Sequence, residues 1–82
     1  MEIKATVYER SDGMAIFLIP HGDWIIRAPV RGQTKFWNRN TWILVSLVKT
    51  KLVNHQIIWP EEFCFEKEEA MNFLENYQYQ DY

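Results

Sequence analysis

The stretch Met14-Ala15-Ile16-Phe17-Leu18-Ile19 constrains this chain more than any other. Side chains of a strand alternate between two faces. Here both faces are apolar, with Met14, Ile16 and Leu18 on one and Ala15, Phe17 and Ile19 on the other. A strand buried on both sides belongs in the middle of a sheet, or under cover from something else. Before it, Arg10-Ser11-Asp12-Gly13 supplies an Asp-Gly turn, because glycine accepts the positive φ that hairpin turns demand. Before the turn, Ile3, Ala5 and Val7 alternate with Glu2, Lys4 and Thr6. The pattern predicts a hairpin of strands at about 2–9 and 14–19.

Further along, Pro20-His21-Gly22-Asp23 reads as a second turn and leads to a strand at about 24–28. From 29 to 40 the pattern dissolves into Pro, Gly, Gln, Thr, Asn and basic residues, which predicts a long loop. Residues 41–49 are apolar and rich in β-branched side chains, so they read as a strand. The competing reading is a helix from Trp42 to Val53 with Trp42, Val45, Val48 and Leu52 on one stripe. A turn near Val53-Asn54-His55 precedes a strand at 56–59, which Pro60 ends, and 63–65 reads as a short edge strand.

Residues 66–78 form the one clear helical pattern. Ala70, Phe73, Leu74 and Tyr77 stand at i, i+3, i+4 and i+7, while Glu66, Glu68 and Glu69 fall in the first turn, where carboxylates favour the helix dipole. Residues 78–82 read as a frayed tail. The sum is an α+β fold: an antiparallel sheet of about five strands with one C-terminal helix packed on it. One helix covers only part of one sheet face. The second apolar face of 14–19 therefore calls for a bent sheet, a ligand or a second copy, and a homodimer is expected on that ground.

At 82 residues the chain fits one domain and no more. A domain this small is short of core and often relies on a disulfide or a metal. With Cys64 as its one cysteine it forms no internal disulfide, and two histidines and a cysteine far apart in sequence make no zinc site. Aromatic mass takes that place, with 4 Trp, 4 Tyr and 5 Phe. No secretory signal is expected, and no apolar run reaches the ~20 residues that span a bilayer. A cytoplasmic protein with a free thiol and no membrane partner is the resulting expectation.

The net charge of −2 hides two blocks. Between Trp24 and Pro60 stand Arg27, Arg31, Lys35, Arg39, Lys49 and Lys51 and no acidic residue. From Glu61 onward stand Glu61, Glu62, Glu66, Glu68, Glu69, Glu75 and Asp81 against Lys67 alone. Phe36, Trp37 and Trp42 lie within the basic block. Cations beside planar rings are what a single-stranded nucleic acid or a nucleotide needs, the cations for phosphates and the rings for stacking. On that reading Arg27, Arg31, Lys35, Arg39, Trp37 and Trp42 form the site. On the plainer one, Trp37 and Trp42 are core anchors and the bases solubilise a loop. The acidic row on the helix has two readings as well, an imitation of nucleic-acid phosphates or the solvated face of an amphipathic helix.

Catalysis finds little support. A nucleophile, a base and an orienting acid must converge. Cys64 stands between Phe63 and Phe65 as a packed thiol, and His21 and His55 stand in turns. A Cys64–His55 pair is the one candidate for a small hydrolase or transferase. Gly32-Gln33-Thr34-Lys35 lacks the spacing of a phosphate loop. Neither a cofactor nor a metal is expected. The leading expectation is a non-catalytic protein that occupies a partner protein's surface, an inhibitor or adaptor of the kind small virus- or phage-encoded proteins often are. Glu68, Glu69, Arg31 and Arg39 would carry the contact. Nucleic-acid or nucleotide binding is the alternative.

Overall fold

The structure is a computed structural model and describes residues 6–78. Five strands form one antiparallel sheet in chain order: β1 (Val7–Glu9), β2 (Ala15–Leu18), β3 (Trp24–Val30), β4 (Gln33–Trp37) and β5 (Trp42–Leu44). A separate two-stranded sheet consists of β6 (Lys51–Val53) and β7 (Gln56–Ile58). One helix, α1 (Lys67–Asn76), packs against β2 and β3. The fold is α+β, with the five-strand antiparallel sheet and C-terminal helix that the patterning predicts. The expected strand at 2–9 survives as β1, and its first half lies outside the described residues.

Both apolar faces of β2 are covered by the chain itself. Ile16 pairs with Ile26 and Phe17 with Ile25, so the two central strands present matched rows to each side. On the helix side Met14, Ile16, Trp24, Ile26 and Ala28 pack with Phe65, Ala70 and Leu74. On the opposite side Ile19, Ile25 and Phe36 pack with Phe63, and Phe17, Ile43, Val48 and Trp59 complete that layer. The second layer corrects the expectation of a bent sheet, ligand or second copy. The segment after β5 folds back across the sheet and buries that face. The ground for a homodimer drawn from 14–19 goes with it.

The expected loop at 29–40 is also corrected. β3 runs on to Val30, turns through Arg31 and Gly32, and returns as β4. Arg31 and Gly32 both have positive φ, 53° and 77°, as a two-residue hairpin turn with the twist of its strands requires. Pro29 suggests a break in the sequence, yet the ladder to β2 ends at the Ala15–Arg27 pair. Beyond that point β3 has a neighbour on one side only, where proline's missing N–H is tolerated.

Residues 41–49 are neither one strand nor one helix. β5 pairs with β4 only over Trp42–Leu44 and then gives way to a single 3-10 turn over Val45–Leu47. Past Leu44 the partners on β4 would be the exposed Thr34 and Gln33, which offer nothing apolar to pack against. The strand expected at 56–59 exists as β7, outside the main sheet and paired with β6, a strand the sequence pattern does not predict. The edge strand expected at 63–65 is a 3-10 turn over Glu61–Phe63 followed by one bridge. In that bridge the Phe65 N–H donates to the Trp24 carbonyl at 2.9 Å and the Trp24 N–H to that of Phe65 at 2.8 Å. The bridge pins the start of α1 to the sheet.

The helix is shorter than 66–78 but faces as its spacing predicts, with Ala70, Phe73, Leu74 and Tyr77 toward the sheet. Glu66 precedes it in an extended conformation without a side-chain cap. At the other end the Arg10 guanidinium donates to the carbonyls of Leu74 at 3.0 Å and Tyr77 at 2.6 Å. A cation on the last carbonyls satisfies acceptors that the helix leaves open and suits the negative end of its dipole.

Candidate protein-docking surface

Four of the residues expected to bind a partner or a nucleic acid are engaged within the fold. Arg39 stands in the turn between β4 and β5. There the Asn38 side-chain oxygen accepts the N–H groups of Asn40 and Thr41 at 3.0 and 2.8 Å. Its guanidinium donates to the Cys64 carbonyl at 2.6 Å, reaches Glu69 at 3.3 Å and lies 4.3 Å from the centre of the Phe65 ring. Trp37 and Trp42 are half-buried between sheet and helix. Trp37 has ring centres at 5.2 Å (Trp42), 5.1 Å (Phe73) and 5.7 Å (Tyr77). The Trp42 indole N–H donates to the Tyr77 hydroxyl at 3.1 Å. Both tryptophans pack against the core and keep part of their surface exposed.

The remaining cations do not form one basic face. Arg27 lies on the side opposite the helix, 5.9 Å from the Phe17 ring centre. Arg31 and Lys35 come together with Val30, Thr41 and Trp42 around an open hollow of about 250 Å³. Glu68 is exposed in the first turn of α1, next to the engaged Glu69. Of the sequence-selected residues, the structure therefore brings together Arg39 with Glu69, Trp37 with Trp42, and Arg31 and Lys35 with Trp42. It does not unite the four basic residues.

Cys64 is poorly suited to nucleophilic work. Burial pushes its thiol pKa up, the Asp23 carboxylate pushes it further, and Arg39 offsets only part of this. A nucleophilic cysteine needs the opposite shift. The thiol donates to the Pro60 carbonyl at 3.6 Å. His55 stands exposed in the β6–β7 turn. Among the described residues no group of His, Cys, Asp and Glu is arranged to hold a metal ion. No described helix is long and apolar enough to cross a membrane.

The surface feature that stands out is apolar. Large hydrophobic side chains exposed on the described surface are Val7, Leu18, Val45, Leu47, Leu52, Val53 and Ile57, so five of the seven fall between Val45 and Ile57. Leu52 is 73% exposed, Leu47 67% and Ile57 55%. Scattered single residues of this kind are ordinary, whereas a grouped set marks a contact site. Leu52 pairs across the strands with Ile57 on one face of the hairpin. Val53 and Ile58 lie on the other face, with Lys51. The hairpin forms because Asn54 and His55 adopt positive φ, 49° and 65°, which a tight two-residue turn needs at both central positions. A lone two-stranded ribbon is marginal in water. Here Val48 and Trp59 at its root tie it to the layer opposite the helix.

At that root Lys49, Lys51, Ile58, Trp59 and Pro60 surround a hollow of about 260 Å³. Among the described residues neither lysine makes an ion pair. The sequence pattern assigns these residues to the basic block and to a strand but gives them no binding role. The signal for them is the pair of short apolar runs, Leu52-Val53 and Ile57-Ile58, on either side of Asn54-His55. No family model, curated protein or solved structure matches this chain.

Proposed function

We propose that this is a non-catalytic protein-binding module, an inhibitor or adaptor, whose contact element is the β6–β7 hairpin with the preceding turn at Val45–Leu47. The observation that carries this reading is that five of the seven large hydrophobic side chains exposed on the described surface, Val45, Leu47, Leu52, Val53 and Ile57, fall in the β6–β7 hairpin and the turn that precedes it. An arm with apolar side chains on both faces suits insertion into a partner's cleft better than contact with a flat surface. Burying a Leu or Ile contributes about 1.5–3 kcal/mol. Two or three such side chains supply a binding core once the losses of association are met.

The contact moves away from Glu68, Glu69, Arg31 and Arg39. Arg39 is engaged with the Cys64 carbonyl and the Phe65 ring, so reversing its charge would disturb the fold along with any interface. The test is affinity capture from lysate of the cells that make the protein, after nuclease treatment, with wild type and the double variant L52D/I57D side by side. Both positions are exposed and lie outside the two core layers, so circular dichroism and the melting temperature of the variant check that the main sheet and helix are kept. A discrete protein held by wild type and lost by the variant supports the reading. Equal capture by both overturns it, and capture that disappears with nuclease returns the weight to Arg31, Lys35 and the nucleic-acid alternative.

A further inference from the structure

The root of the hairpin specifies the chemistry of what docks there, an inference that rests on the protein-binding reading above. The hollow is lined by three largely apolar residues, Ile58, Trp59 and Pro60, together with Lys49 and Lys51. Lys49 and Lys51 are both exposed, and neither has a carboxylate partner among the described residues. The stretch from Trp24 to Pro60 contains no acidic residue, and Glu61 and Glu62, which follow Pro60 directly, make no ion pair with either lysine. The seven acids that follow begin at Glu61, and Glu68, Glu69 and Glu75 are exposed on the helix, which packs on the opposite layer of the sheet.

We infer that the hollow receives a partner segment in which one large apolar side chain is flanked by carboxylates. The apolar group would rest on Ile58, Trp59 and Pro60 while the acids meet Lys49 and Lys51. The volume, about 260 Å³, suits one aromatic or branched aliphatic side chain and no more. Trp59 is held rigidly enough to serve as a floor. Its ring packs edge-on against Phe36 at 5.0 Å and Phe17 at 6.2 Å, and lies 6.4 Å from Phe63. Like charges flanking the same apolar residue would be rejected, so the lysines set specificity as well as attraction. A basic or uncharged partner finds no complement at this place.

The experiment is a nuclear magnetic resonance titration of the isotope-labelled full chain with two short synthetic peptides. Each has a central phenylalanine, flanked by aspartates in one and by lysines in the other. The expected result is that the aspartate peptide shifts the amides of Lys49, Lys51 and Ile58 and the Trp59 indole, and that the lysine peptide does not. Raising NaCl from about 50 to 300 mM should weaken the aspartate peptide several-fold, since exposed charges are screened within a Debye length. The variant K49E/K51E should lose at least tenfold in affinity for it, which is about 1.4 kcal/mol.

Equal shifts from both peptides, no shift at millimolar peptide, or shifts centred on Arg31 and Lys35 overturn the inference. Hairpin signals that move on dilution of the protein alone also overturn it, because they make a second copy the occupant. These failures are separable from failure of the protein-binding reading. A partner captured through Leu52 and Ile57 would still be lost in L52D/I57D even if the aspartate peptide never bound.

Discussion

Arg39 in the β4–β5 turn and Glu69 in the first turn of α1 sit 3.3 Å apart, joining the basic and acidic blocks of the chain. The ion pair is the lesser part of the contact. Both side chains are about half exposed, at 46% and 51%, and such pairs contribute about 0.2–1 kcal/mol. The same guanidinium also donates to the Cys64 carbonyl and covers the Phe65 ring. It therefore ties the turn to the segment that leads into the helix, and the residue works as a clasp.

Replacing Arg39 by alanine should destabilise the domain by about 2 kcal/mol, because a charged hydrogen bond contributes about 1.5–3 kcal/mol and the ring contact adds to it. Glu69→Ala should cost under about 0.5 kcal/mol. Arg39 also has φ of 83°, a region glycine tolerates and other residues resist. R39G should therefore be about 1 kcal/mol more stable than R39A. Urea unfolding of the three variants checks the order. A Glu69→Ala loss equal to that of R39A would show the pair, not the carbonyl, to be the main contact.

The Trp37, Trp42, Phe73 and Tyr77 rings form the joint between β4, β5 and α1, with Phe73 and Tyr77 stacked at 4.6 Å. Tyr77→Phe keeps the rings and removes the hydroxyl that accepts the Trp42 indole N–H. It should cost about 0.5–1.5 kcal/mol. Trp37→Ala removes a central ring and should cost about 3–5 kcal/mol, enough to unfold much of so small a domain. Thermal unfolding followed by circular dichroism separates the two. A near-neutral W37A would return Trp37 to the set of available stacking surfaces.

The parts of the fold legible in the sequence were those set by periodicity. Met14 to Ile19 announced a doubly buried strand, and Ala70, Phe73, Leu74 and Tyr77 announced the buried stripe of the helix. What stayed hidden depended on partners distant in the chain. Pro29 reads as a break unless one knows that β2 stops at Ala15 and leaves that side of β3 unpaired. Trp37 and Trp42 read as available rings until α1 is seen to cover them. The docking surface was hidden for a related reason. Leu52 and Ile57 look like core residues by type, and only the fold reveals that β6 and β7 find no sheet to join.

Gly13 ends the first turn with φ of 97°, and a Cβ placed there would lie 2.9 Å from Pro29 Cγ, a ring atom with little room to move. Gly13→Ala therefore meets two penalties, the left-handed backbone at about 1–2 kcal/mol and a steric clash at the end of β3. Gly22 has φ of 92° and open space around it, so Gly22→Ala should show the backbone penalty alone. The expected order is wild type, then G22A, then G13A, with at least about 1 kcal/mol between the last two. Equal midpoints for the two variants would mean that Pro29 yields.

Cys64 makes a prediction in pH. Its folded thiol titrates above the ordinary cysteine value, chiefly because of burial and then because of Asp23. Above about pH 8.5–9 an unfolded chain gives up the thiol proton while the folded chain keeps it. The folded state then binds more protons than the unfolded one, so stability falls as pH rises through that window and is fully present below it. Cys64→Ala removes the titrating group. It should flatten the fall between about pH 8.5 and 10 relative to wild type, whatever its effect at pH 7. The raised value also predicts slow alkylation, because only the thiolate reacts. At pH 8 iodoacetamide should modify native Cys64 more slowly than the same residue in urea. Parallel pH profiles for wild type and C64A, or equal alkylation rates, would show that the thiol is less shielded than its contact with Pro60 implies.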